Sequence, residues 1–212
     1  MSSGNLIYHQ EQNQLELNGI ILRSGEGVEI RVMGDWISGQ LHKDSGGWYL
    51  ITSDQMGIRL RSGLLARFPD ASSSLRLQAE EYSHRPNWSR GEERKWILVV
   101  EDDEAHTSML DLLFKQETPH CVCYAPDGQT AWKFLQHFKP DLLVLDYLLP
   151  KMSGLVLYDR IRAEKALHNI PVLMISAALP SDEIEQRGII GLQKPFEIDA
   201  FLHAIEVLIT SA

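Results

Sequence analysis

The chain has 212 residues, 44% of them hydrophobic and 23% charged, and its 29 acidic and 20 basic side chains give a net charge of −9. Such values suit a globular protein of one or two domains with a sizeable core, and they argue against a basic nucleic-acid binder. No long apolar run or apolar leader follows Met1-Ser-Ser-Gly-Asn5, and the two cysteines are too few for a disulfide framework, so a cytoplasmic protein is expected. The charge is uneven: residues 1–69 carry six basic and seven acidic groups, 70–95 five of each, and 96–212 nine against seventeen. An acidic C-terminal part repels membrane surfaces and nucleic acid, so neither is expected as a partner.

Residues 1–69 read as a small antiparallel β domain. Val28–Val32, Trp36–His42, Gly47–Ile51 and Gly57–Arg61 are short alternating segments divided by Gly, Asp and Ser turns, with a hairpin from Leu6–His9 and Leu15–Leu17 before them. About five strands in seventy residues predict an SH3-like barrel or comparable roll. Trp36, Trp48 and Tyr49 are candidates for binding a protein partner, against the competing reading that at least two belong to the core. Arg23, Arg31, Arg59, Arg61 and Arg67 are offset by nearby acids, and no helix-turn-helix pattern or glycine-rich nucleotide loop is present. Residues 70–95 are polar and turn-rich, which predicts a linker, with Leu75, Leu77 and Ala79 able to form a brief helix and Trp88 able to anchor it.

From residue 96 the pattern changes to Val/Ile/Leu strands alternating with amphipathic segments, as in a parallel sheet covered on both faces. Ile97–Val100 runs into Glu101-Asp102-Asp103-Glu104. Met109, Leu110, Leu112, Leu113 and Phe114 mark a first helix, and His120–Tyr124 forms a second strand whose Cys121 and Cys123 share one face as reduced thiols. Ala131, Trp132, Leu135 and Phe138 mark a second helix; then Leu142–Leu145 delivers Asp146 to a strand end, before Pro150 and Gly154. Leu155, Val156, Tyr158 and Ile161 mark the third helix. Pro171–Ile175 ends at Ser176, Lys194-Pro195 follows a fifth strand, and Phe201, Leu202, Ile205, Leu208 and Ile209 mark the last helix.

Ligands and reacting groups gather at the C-terminal strand ends of an open α/β sheet. Carboxylates placed there repel one another, and a hard divalent cation with oxygen ligands, such as Mg²⁺, relieves the repulsion. A carboxylate beside that ion and a lysine can attack phosphorus, while both cations offset charge on the transferred group. Alone, the acidic run at residues 101–104 reads equally well as a helix start, and Ser176 or Lys194 alone as an ordinary strand end or surface group.

The ordered set of an acidic pair, an Asp followed by Pro four residues on and Gly eight on, a Ser, and Lys-Pro resembles the receiver domain of two-component response regulators. The resemblance covers roughly residues 95–212, and it implies a flavodoxin-like sheet of order 2-1-3-4-5. It implies phosphorylation of Asp146 by a histidine kinase or phosphotransfer protein, with Mg²⁺ held by Glu101, Asp102, Asp146 and the backbone carbonyl of Leu148. Lys194 then neutralises the phosphoryl group and the Ser176 hydroxyl senses it, while Asp103 and Glu104 start the helix.

Two features depart from the family. Gly191 stands where receivers carry an aromatic residue, and the stretch between Ser176 and Lys194 is about one turn short, with Pro180 permitting a helix only after it. The expected protein is a phosphorylation-dependent regulator whose β module contacts another protein, with a homodimer left open. The alternative is a phosphorylation-independent scaffold on a degenerate receiver fold. A phosphohydrolase fits less well, because Asp146 lacks the second Asp of an Asp-x-Asp motif.

Overall fold

A computed structural model describes residues 3–32, 34–44, 47–53, 55–69 and 94–211. The chain forms two compact units, Met1–Glu93 and Arg94–Ala212. The expected linker helix and Trp88 lie outside the described residues.

In the first unit, strands β1 (Gly4–His9), β2 (Gln14–Leu17), β3 (Ile20–Ile21), β4 (Gly27–Val32), β5 (Asp35–Asp44), β6 (Gly47–Ile51), β7 (Gly57–Arg59) and β8 (Leu65–Arg67) pair antiparallel. Their order is β7-β6-β5-β4-β8-β1-β2-β3, so the last strand inserts between the first and the fourth. Among the described residues, eight strands replace the expected five or so. The two unexpected strands, β3 and β8, are too short to show an alternation. Alternation does place the core: Leu15 and Leu17, Val28, Ile30 and Val32, Leu41, Leu50 and Ile58 are fully buried. Positive φ at Asn18 (53°) and Gly19 (82°) turns β2 back into β3.

Of the three aromatic candidates, only Trp48 is buried; its indole N–H donates to the Asn13 carbonyl at 3.2 Å. Trp36 and Tyr49 are half-buried on the outer face, where cross-strand neighbours cover them. Arg67 and Arg31 lie 4.2 and 5.9 Å from the Trp36 ring centroid. Tyr49 stacks on His42 at 5.6 Å and carries Arg59 at 5.1 Å.

The second unit alternates β9 (Trp96–Val100), α1 (Glu104–Glu117), β10 (Cys121–Ala125), α2 (Gly128–Leu135), β11 (Leu142–Asp146), α3 (Gly154–Ala163), β12 (Val172–Ser176), α4 (Ser181–Gln186), β13 (Ile190–Gln193) and α5 (Ile198–Thr210). All four pairings among its strands are parallel, in the order β13-β12-β11-β9-β10. Counted within the unit this is the expected 2-1-3-4-5. Ile97, Val99, Val122, Leu142, Val144, Leu173 and Ile175 pack with Leu110, Phe114, Phe201 and Ile205 in one core. Met109, Leu112 and Val156 are exposed, because an apolar stripe that looks wide in sequence presents only part of its width to the sheet. Phe138 lies beyond the end of α2 and stacks on Phe134 at 4.7 Å. Cys121 and Cys123 are both buried, and burial pushes the Cys123 thiol well above its usual range. Among the described residues no helix is long and apolar enough to cross a membrane.

Candidate functional site

The site forms where β9 and β11 end side by side. Leu145 is paired with Val100, so the next residues, Asp146 and Glu101, leave adjacent strands at the same level. Ligand oxygens of Glu101, Asp102 and Asp146 all lie within 4.8 Å of one another. Lys194 arrives from the end of β13, its amide donating to the Ser176 carbonyl at 2.8 Å. Its Nζ donates to Asp146 Oδ2 and to Glu101 Oε2, each at 2.6 Å.

Burial raises the Glu101 carboxyl pKa above its ordinary value and the Asp146 charge adds to that, with Lys194 and His106 acting in the opposite direction. For Lys194, burial opposes the ammonium, but the bonds to Asp146 and Glu101 prevail and raise its pKa. Three carboxylates against one ammonium leave the cluster short of positive charge. Oxygen donors at this spacing fit a small hard cation that keeps some of its own water.

The remaining expected residues stand at the margin. Ser176 is fully buried, and its hydroxyl accepts the Ala178 amide at 3.2 Å. Leu148 is exposed, and its amide donates to Asp146 Oδ1 at 2.8 Å, orienting the carboxylate from the loop side. Asp103 caps α1 by accepting the His106 amide at 2.8 Å, a bond that lowers its carboxyl pKa, and Glu104 begins the helix.

Two features of the site are absent from the sequence-based expectations. His106 Nδ1 stands 3.3 Å from Glu101 Oε1. The loop after Asp146 is latched to the start of α2: Lys151, with φ of 65°, donates from Nζ to Asp127 Oδ2 at 2.6 Å. Asp127 also caps α2 through the Thr130 amide at 2.7 Å. Against the cost of burial, these two donors hold its carboxyl below the usual aspartate pKa. Gly154 closes the same loop, because a Cβ there would collide with the Asp146 carbonyl oxygen. Asp127 before Gly128 and Thr130 was a legible helix cap, and His106 was legible as the third residue after another. Lys151 is distant from Asp127 in sequence, and the contact of His106 with Glu101 crosses from the end of β9 to α1, where no periodic pattern signals it.

Gly191 lies on β13, and a Cβ there would meet Ile184 Cδ1 at 2.5 Å and Leu179 Cδ1 at 3.3 Å. The place of a side chain at 191 is therefore taken by two aliphatic residues from around α4, a helix of only six residues.

Residues 97–206, about half of the chain, match the family model of the response regulator receiver domain. The chain belongs to the response regulator receiver family. The receiver is 35% identical over 122 residues to the alkaline phosphatase synthesis transcriptional regulatory protein PhoP of Bacillus subtilis, covering 52% of this chain and 48% of that protein. It is 32% identical over 114 residues to the chemotaxis protein CheY of Pseudomonas aeruginosa, covering 52% of this chain and 92% of CheY. The chain thus spans about half the length of PhoP and nearly all of CheY. Among solved structures, a putative response regulator from Chloroflexus aurantiacus superposes with a TM-score of 0.52 at 27% identity, over 56% of this chain and 99% of that one. The receiver domain of sensor histidine kinase PA1611 from Pseudomonas aeruginosa, solved with magnesium in its active site cleft, shares the fold with a TM-score of 0.51 at 22% identity, over 55% of this chain and 98% of that one. Residues 4–68 match a separate domain of unknown function, DUF5348. Residues 97–206 are accordingly a receiver domain of the two-component signalling family, and a strand-rich region precedes them.

Proposed function

We propose that this response regulator accepts a phosphoryl group on Asp146 from a histidine kinase or phosphotransfer protein in a Mg²⁺-dependent reaction, and that the phosphorylated receiver alters the protein contacts of the N-terminal module. In this reading residues 1–69 are the interaction module, 70–95 the linker and 96–212 the receiver, working in the cytoplasm. The observation that carries it is the convergence of Glu101, Asp102 and Asp146 within 4.8 Å, with Lys194 Nζ 2.6 Å from the acceptor carboxylate.

An Asp146 oxygen attacks phosphorus and forms a P–O bond as the P–N bond of a phosphohistidine breaks. The electron pair of that bond goes to the imidazole nitrogen, which leaves as neutral histidine once protonated. Glu101, Asp102, Asp146 and the Leu148 carbonyl would hold Mg²⁺, which when bound offsets charge on the transferred oxygens. Lys194 moves its ammonium from the carboxylates to the phosphoryl oxygens. The Leu148 amide orients Asp146, and the Ser176 hydroxyl, whose oxygen accepts the Ala178 amide, donates its own proton to a phosphoryl oxygen.

Incubation with Mg²⁺ and a small acyl phosphate, followed by intact-mass measurement, tests this. One phosphate-sized gain is expected, absent in Asp146→Asn and in chelator; no gain from a protein that binds Mg²⁺ would contradict it. Gly191 and the six-residue α4 favour one second reading, a scaffold that binds its partner regardless of phosphorylation. Partner capture by the full chain that is equal for wild type and Asp146→Asn would favour the scaffold.

A further inference from the structure

We infer that His106 is a positioning residue for the acidic site, holding the Glu101 carboxylate in the orientation that receives the divalent cation; this rests on the phosphoacceptor reading above. The Glu101 side chain is 1% exposed, so its oxygens depend on protein donors. Oε2 accepts from Lys194 at 2.6 Å and Oε1 faces His106 Nδ1 at 3.3 Å. Lys194 is divided between Glu101 and Asp146, and a phosphoryl group on Asp146 would draw it away from Glu101. His106 is then the side-chain donor that stays.

The imidazole is well placed for this. Its residue sits in the first turn of α1, fixed by the 2.8 Å bond from its amide to Asp103 Oδ1. Two carboxylate oxygens face Nδ1, Glu101 Oε1 at 3.3 Å and Asp103 Oδ1 at 3.8 Å, and two acceptors select the tautomer with its proton there. Lys194 Nζ, 3.5 Å from the same nitrogen, is then a neighbour and not its donor. The ring is 48% exposed, so its removal opens no core cavity. Donors that orient a ligating carboxylate from behind change metal affinity without touching the metal.

Mg²⁺ titration calorimetry on the full chain, with thermal melts alongside, tests the assignment. His106→Ala should weaken Mg²⁺ about ten-fold with an unchanged melting temperature. In His106→Asn, the amide nitrogen stands near the place of Nδ1 and should recover most of the affinity. Unchanged affinity in the alanine variant, or an asparagine variant as weak as alanine, would overturn the inference while leaving the phosphoacceptor reading intact. Wild-type protein that binds no Mg²⁺ would overturn both.

Discussion

Ionisable groups cluster in both units, on opposite terms. On the sheet face of the β unit, charges meet in register: Arg67, Glu29 and Ser38 lie in one row across β8, β4 and β5, and buried Glu29 accepts from both neighbours. Arg59 pairs with Asp44 at 2.9 Å and covers Tyr49. At the strand ends of the receiver, buried Glu101 and Asp146 share one ammonium, with exposed Asp102 beside them. Balanced charge of the first kind fixes strand register, whereas a buried excess of one sign destabilises the fold and marks a place prepared for a cation.

The largest expected effect comes from removing the single cation of the receiver cluster. Lys194→Ala should slow phosphorylation of Asp146 about 100-fold in an intact-mass time course, since a donor aimed at the transferred oxygens is lost. A rate within a factor of two of wild type would assign the neutralising role elsewhere. Next comes Gly154→Ala, where backbone and not a flexible side chain blocks the new methyl group; it should cost about 3 kcal/mol in urea unfolding. An unaffected midpoint would mean that the loop after Asp146 is not held as tightly as its packing implies.

The comparison is sharpest in a pair of charge-removing variants that should act with opposite sign. Glu29→Gln weakens a satisfied row and should destabilise by about 1 kcal/mol. Asp146→Asn relieves like-charge repulsion and should stabilise the metal-free protein by about 1 kcal/mol. Equal signs in thermal melts would erase the distinction between the two clusters.

The smallest effect is that of the latch. Folded Asp127 has a depressed pKa, so it contributes stability above the ordinary aspartate value of 3.8 that is lost as pH falls through its lower folded value. Lys151→Ala, at a largely exposed lysine, should cost below about 1 kcal/mol at pH 7. The difference from wild type should shrink in urea melts as the pH falls below 3.8; a pH-independent difference would contradict the ion pair as its source.

Much of the receiver was legible because its strands are uninterrupted apolar runs, so the residue ending each run is conspicuous: Glu101 after Val100, Asp146 after Leu145, Ser176 after Ile175. The sheet order then brings the first two together. The arrangement around them was not legible. His106 meets Glu101 across a helix cap, Lys151 meets Asp127 across 24 residues, and Ile184 and Leu179 fill the space at Gly191 through tertiary packing alone. In the β unit, alternation identified the core of β4, β5 and β6, but β3 and β8 were too short to register. Trp36 and Tyr49 could not be told from core residues until their arginine neighbours were in place.

The central claim is that the uncompensated cluster makes Asp146 a phosphoacceptor, and chemical trapping tests it most directly. Protein treated with Mg²⁺ and a small acyl phosphate is reduced with borohydride, which converts an aspartyl phosphate to homoserine, and its peptides are mapped by mass. Homoserine at position 146 alone, absent in chelator, is the predicted result. Homoserine elsewhere, or none in protein that binds Mg²⁺, would contradict the account.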